Sequence, residues 1–235
     1  WIALELISGV TLSRLMQETV DLTRKLGWLS QLLLGLAHMH ARGAVHRDIK
    51  PSNLMIEMDE EGCERMVIVD LGLTYFSDLE TNASAEEGTP SYLAPELVSG
   101  DGSPSVQSDL YAVGVILYEL LEGRLPYDGS HGVAVALQQV TAPIPKIGAN
   151  LPPRLREQWQ ELVEKSLAKT PSLRFKSADE FREALAIPVS ASQVDIDGPS
   201  DFSLAIDEAL ISARHVDETV DRASSNVHVE QWIYP

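Results

Sequence analysis

His46-Arg47-Asp48-Ile49-Lys50-Pro51-Ser52-Asn53 puts a carboxylate, an ammonium and a carboxamide on one short segment. Phosphoryl transfer from a metal-bound nucleotide needs a group of each kind. One orients or deprotonates the attacking hydroxyl, one neutralises the phosphate, and one offers oxygen to the metal. Asp48 suits the first task, Lys50 the second and Asn53 the third. An Asp and an Asn five residues apart also occur in ordinary solvated turns. All eight residues together argue for the chemistry over the turn.

Such a segment needs rigid elements around it. Trp28 to His40 carries leucines at 29, 32, 33 and 36, a helical spacing, and Ala41-Arg42-Gly43 is a suitable stop. Residues 54–58 and 66–69 read as a small β-hairpin around an acidic turn, its second strand running into Asp70-Leu71-Gly72. Residues 107–121 form an almost uncharged helix, which only the inside of a large domain accommodates. Shorter helices are expected at 12–17 and about 131–140. Apolar residues at 155, 159, 162, 163 and 167 make an amphipathic helix opened by Pro152-Pro153. Ser177 to Ala186 is a last helix, with Ser177 as N-cap, Glu180 completing a capping box, and Pro188 as its end.

The octapeptide resembles the H-R-D-x-x-x-x-N catalytic loop of eukaryotic-type Ser/Thr protein kinases, and further landmarks follow in that family's order. Asp70-Leu71-Gly72 stands where the family has Asp-Phe-Gly, with Leu71 an apolar departure. Gly88 to Glu96, closing in Ala94-Pro95-Glu96, resembles the substrate-docking end of an activation segment. Asp109 to Gly114 and Lys169 to Phe175 resemble two later motifs. Leu4 to Leu12 looks like the interlobe hinge of bacterial members. The resemblance covers residues 1–187 and implies a mainly α (α+β) fold, the large C-terminal lobe of a kinase. No G-x-G-x-x-G or Val-Ala-Ile-Lys-like strand occurs, so a small lobe is expected upstream of the hinge.

The same resemblance implies roles. Asp48 would orient a Ser or Thr hydroxyl of a protein substrate, and Lys50 would neutralise the γ-phosphoryl of ATP. Asn53 and Asp70 would hold Mg²⁺. Thr89 would bridge Asp48 and Lys50. The adenine would rest on Met55 and meet the backbone near Glu5 and Ile7. Asp109 would hold the catalytic-loop backbone, Arg174 would pair with Glu96, and the His46 ring would pack behind the loop. Arg47 needs an anion, from a phosphorylated Thr74, Ser77, Thr81 or Ser84, or from Glu86 or Glu87. A non-catalytic kinase-like module stands as the alternative. An aminoglycoside-kinase-type enzyme would lack residues 89–96 as they stand here.

Composition sets outer bounds. With 235 residues and 44% apolar content there is material for one sizeable core. The single cysteine, Cys63, fits a reducing compartment such as the cytoplasm, and acidic neighbours disfavour its thiolate. A net charge of −17 argues against nucleic acid as a partner. No apolar run reaches membrane-spanning length. Residues 188–235 read as an acidic tail or linker, with nine acids against two basic residues from 189 onward.

Overall fold

The leucine stripe at 29, 32, 33 and 36 folds as the buried side of a long helix, α2 (Leu22–Ala41). In the computed structural model the described residues are 6–58, 62–70, 75–76, 90–129, 132–148 and 153–192. All of them belong to one compact unit, Trp1–Asp195. α2 begins six residues earlier than the leucine spacing indicates, because the Asp21 carboxylate caps it by accepting the Arg24 N–H at 2.9 Å. Ahead of it lie β1 (Gly9–Thr11) and the single turn α1 (Leu12–Leu15).

After α2 the chain passes through β2 (Ala44–Val45), the loop of residues 46–53, β3 (Leu54–Met58) and β4 (Glu64–Ile68). β3 and β4 pair antiparallel with Leu54 opposite Ile68, and β1 adds to the other edge of β3 with Val10 opposite Ile56. The order is therefore β1-β3-β4, while β2 pairs with β5 (Tyr75–Phe76). β4 is anchored to α2 through Glu64. Its carboxylate accepts from Arg24 Nε at 3.0 Å and from Trp28 Nε1 at 2.8 Å.

The remaining helices are α3 (Pro95–Ser99), α4 (Val106–Glu122), α5 (Gly132–Thr141), α6 (Pro153–Ser166) and α7 (Ala178–Ser192). α4 is the axis of the core. Leu110, Tyr111, Val113, Val115, Ile116, Leu117 and Tyr118 on it are all buried, as a helix nearly free of charge requires. Gly114 lets α6 approach, since a Cβ there would lie 2.5 Å from Ser166 Oγ. On α6 and just beyond, Leu155, Trp159, Leu162, Val163 and Leu167 are buried, so the amphipathic spacing maps directly onto the core.

α7 departs from expectation at both ends. Ser177 Oγ accepts the Glu180 N–H at 3.1 Å, but the Glu180 carboxylate turns to the Lys176 N–H at 2.7 Å and to Lys165. The reciprocal half of the capping box is replaced by a bond one residue upstream. The helix also runs to Ser192 rather than ending at Pro188. A proline inside a helix deletes one i to i−4 bond, and here the helix continues past that gap. No helix among the described residues is long and apolar enough to cross a membrane.

Candidate active site

The loop between β2 and β3 converges on the Asp48 carboxylate. Lys50 Nζ lies 2.6 Å from its Oδ2, and Asn53 Nδ2 donates to the same oxygen at 2.9 Å. The same amide nitrogen also donates to the Asp48 backbone carbonyl at 2.9 Å. Both carbonyl and carboxylate are acceptors only, so the nitrogen of the Asn53 amide is assigned to them and its Oδ1 is left to face elsewhere. Asp48 and Asn53 are buried, and Lys50 is partly so.

The loop backbone is held from below by α4. Asp109, 2% exposed near the start of that helix, accepts the His46 N–H on Oδ2 and the Arg47 N–H on Oδ1, both at 2.9 Å. His40, at the end of α2, reaches the same Oδ2 with Nε2 at 2.9 Å. This clamp acts where the backbone needs it, because Arg47 has φ 76°, in the left-handed region that costs a non-glycine residue energy. Residues held so persist only when their surroundings fix them.

A second set of bonds ties the loop to the end of β4. The Asn53 carbonyl accepts the Val69 N–H at 2.9 Å, and His46 Nε2 donates to the Val69 carbonyl at 3.3 Å. His46 Nδ1 accepts the Asp48 N–H at 3.3 Å, so the tautomer with its proton on Nε2 satisfies both contacts. His46 is fully buried beneath the loop. Asp70 follows directly, exposed, with φ 64°. The two non-glycine residues with positive φ among those described are thus Arg47 and Asp70.

Arg174 and Glu96 form a second ion pair. Arg174 Nη1 and Nη2 donate to the two Glu96 oxygens at 2.8 and 2.6 Å. Its remaining reach is taken by the carbonyls of Ala168, Gln107 and Lys169, and its guanidinium lies 4.8 Å from the Tyr111 ring centroid. Met55 sits in β3 between Thr11 and Val67, and Ile7 is half-buried just before β1. Arg47 is half-buried beside Asp48, Tyr92 and Leu97, and no carboxylate among the described residues pairs with it. Glu5, Leu71, Gly72, Thr74, Ser77, Thr81, Ser84, Glu86, Glu87 and Thr89 lie outside the described residues.

Sequence reasoning passes over three residues. His40 carries no signal that separates it from any histidine at a helix end. Glu119 does: it is the only charge between Leu110 and Leu121. Its carboxylate accepts the Tyr92 hydroxyl at 2.7 Å and lines a cleft of about 230 Å³ with Ser13, Gln17, Lys25 and Pro51. Burial raises the Glu119 carboxyl above the usual carboxylate range, against the lowering effect of the Tyr92 hydrogen bond. Burial, then the Glu119 charge, pushes the Tyr92 phenol well above its ordinary value. The third residue is Gln139, fully buried on α5 against the segment Pro90–Tyr92.

Comparison with known proteins gives this geometry a family. Residues 1–187 match the protein kinase domain, and the chain belongs to that family. It is similar to the serine/threonine-protein kinase PknA of Mycobacterium tuberculosis, 34% identical over 191 residues covering 79% of this chain and 42% of the relative. The serine/threonine-protein kinase PkaB of Streptomyces coelicolor is 37% identical over 174 residues, 70% of this chain and 40% of that one. The serine/threonine-protein kinase PrkC of Bacillus subtilis is 29% identical over 234 residues, 98% of this chain and 35% of that one. The chain thus spans roughly two fifths of the length of these curated relatives.

Proposed function

We propose that this chain is the phosphotransfer lobe of a protein kinase that moves the γ-phosphoryl of ATP to Ser or Thr hydroxyls of protein substrates. The observation that carries the reading is the convergence of Lys50 and Asn53 on Asp48, on a loop clamped by Asp109 and bonded to the strand that delivers Asp70.

Asp48 accepts a hydrogen bond from the acceptor hydroxyl and aligns its oxygen for in-line attack. The proton passes to the Asp48 carboxylate as the new O–P bond forms and the bond to the ADP leaving group breaks. Lys50, already beside Asp48, balances charge on the transferring group. Asn53 Oδ1, with the amide nitrogen committed to Asp48, and the exposed Asp70 carboxylate are hard oxygen donors that suit Mg²⁺. A bound divalent ion supplies charge neutralisation of the phosphates. Thr89 bridges Asp48 and Lys50. Met55 forms the adenine floor, with backbone contacts at Glu5 and Ile7, and Arg47 receives an anion from the activation segment.

The Gly-rich loop and strand lysine of the small lobe come from a segment upstream, and the phosphotransfer takes place in the cytoplasm. The test is full-length protein incubated with Mg-ATP and a Ser/Thr peptide, beside its Asp48→Asn variant. Transfer by the parent and its loss in the variant support the reading. Equal transfer by both would contradict it.

A further inference from the structure

The Gln139 side chain connects three elements from a position with no access to water. Its Nε2 donates to the Ser91 carbonyl at 2.6 Å and to the Pro90 carbonyl at 3.5 Å. Its Oε1 accepts the buried Tyr111 hydroxyl of α4. The two carbonyls can only accept, so the amide orientation is fixed by its partners. Its own backbone carbonyl takes Lys169 Nζ at 2.6 Å. At the other end of α5, a Cβ on Gly132 would meet the Pro90 ring at 3.1 Å, so the helix abuts the same segment twice.

A buried glutamine is costly unless every polar atom is satisfied. An apolar residue would fill the α4–α5 contact without that demand. What glutamine adds is a fixed position for two backbone carbonyls of Pro90–Tyr92, the segment that leads into Ala94-Pro95-Glu96. The far end of that segment is held by Tyr92 on Glu119. Pro90–Tyr92 is thereby suspended between α5 and α4.

Resting on the kinase reading above, the geometry points to Gln139 as a positioning residue for protein-substrate binding. It sets the path of the acceptor-docking segment and touches neither ATP nor the reacting atoms.

Gln139→Met tests this with little change of volume. The variant keeps the length of the side chain but offers the Ser91 and Pro90 carbonyls no donor. In full-length protein, assayed well below its thermal midpoint, the peptide KM should rise about tenfold, the scale of one lost hydrogen bond. The KM for ATP and the kcat should each stay within about twofold of the parent. Should that variant not fold, Tyr111→Phe, which frees the amide to rotate, should raise the peptide KM about threefold. A peptide KM unmoved in the folded variants, or loss confined to thermal midpoint and active fraction, overturns the inference and leaves the kinase reading intact. A parent enzyme that transfers no phosphate sinks the kinase reading first.

Discussion

Arg174 grips Glu96 with both terminal nitrogens, at 2.8 and 2.6 Å, while its own side chain is fully buried. The pair joins residues 78 positions apart and anchors α3, which follows the segment Pro90–Tyr92, to the turn that precedes α7. Removing one partner leaves the other as an uncompensated charge, which costs about 3–5 kcal/mol. Arg174→Ala should therefore lower the thermal midpoint sharply while the Kd for ATP of the remaining folded protein is unchanged. A midpoint equal to the parent's would show that the pair contributes nothing.

Asp48 lies at the centre of the cluster, so its substitution should affect chemistry more than binding. Asp48→Asn keeps shape and a hydrogen-bond acceptor but loses the charge to which the proposed mechanism assigns orienting the hydroxyl and taking its proton. In full-length protein kcat should fall by about two to four orders of magnitude, with the Kd for ATP nearly unchanged. Titration calorimetry beside steady-state kinetics separates these effects. A matching loss of nucleotide affinity would mean that Asp48 serves binding rather than transfer.

Asp109 should behave differently, because among the described residues its hydrogen bonds go only to loop backbone and to His40. Asp109→Asn replaces one acceptor with an amide that cannot receive the second N–H, leaving a buried donor unsatisfied at a cost of about 1–3 kcal/mol. Both stability and kcat should drop, since the positive φ of Arg47 depends on that contact. A crystal structure of the variant with the loop unmoved and kcat intact would refute the clamp.

Lys169 gives a pH-dependent signature. Burial, then the nearby Arg174 charge, depresses its ammonium from 10.5 to about 8. Between those values the unfolded chain holds a proton that the folded chain has released, so stability rises with pH across the window. The penalty is fully present below it. Urea unfolding of the parent at about pH 7.5 and about pH 9.5 should show a gain that Lys169→Met lacks. Parallel behaviour of the two proteins would contradict the shift.

The convergence of Lys50 and Asn53 on Asp48 is legible in the amino-acid sequence as a candidate site, because all three side chains are carried by one short loop. The leucines of α2 and the apolar positions of α6 are legible for a related reason: one helix face alone decides their burial. Contacts made across the fold are harder to read. Asp21 as the cap of α2 competes with an equally polar stretch before it, and Pro188 ends a helix by local rule although α7 runs on to Ser192. Gln139 is hidden entirely, since a glutamine on an amphipathic helix normally faces water. Only the approach of Tyr111 and Ser91 gives it a task.

The most direct measurement is mass spectrometry of full-length protein incubated with Mg-ATP and matched peptides that differ only in a Ser, Thr or Tyr acceptor. Lys50 Nζ lies 2.6 Å from Asp48, the pair to which the proposed function assigns transfer to a short acceptor side chain. The account predicts phosphoserine and phosphothreonine products, with autophosphorylation between Thr74 and Ser84, and none of these from Asp48→Asn. Phosphotyrosine as the main product, or no transfer to any peptide, would contradict it.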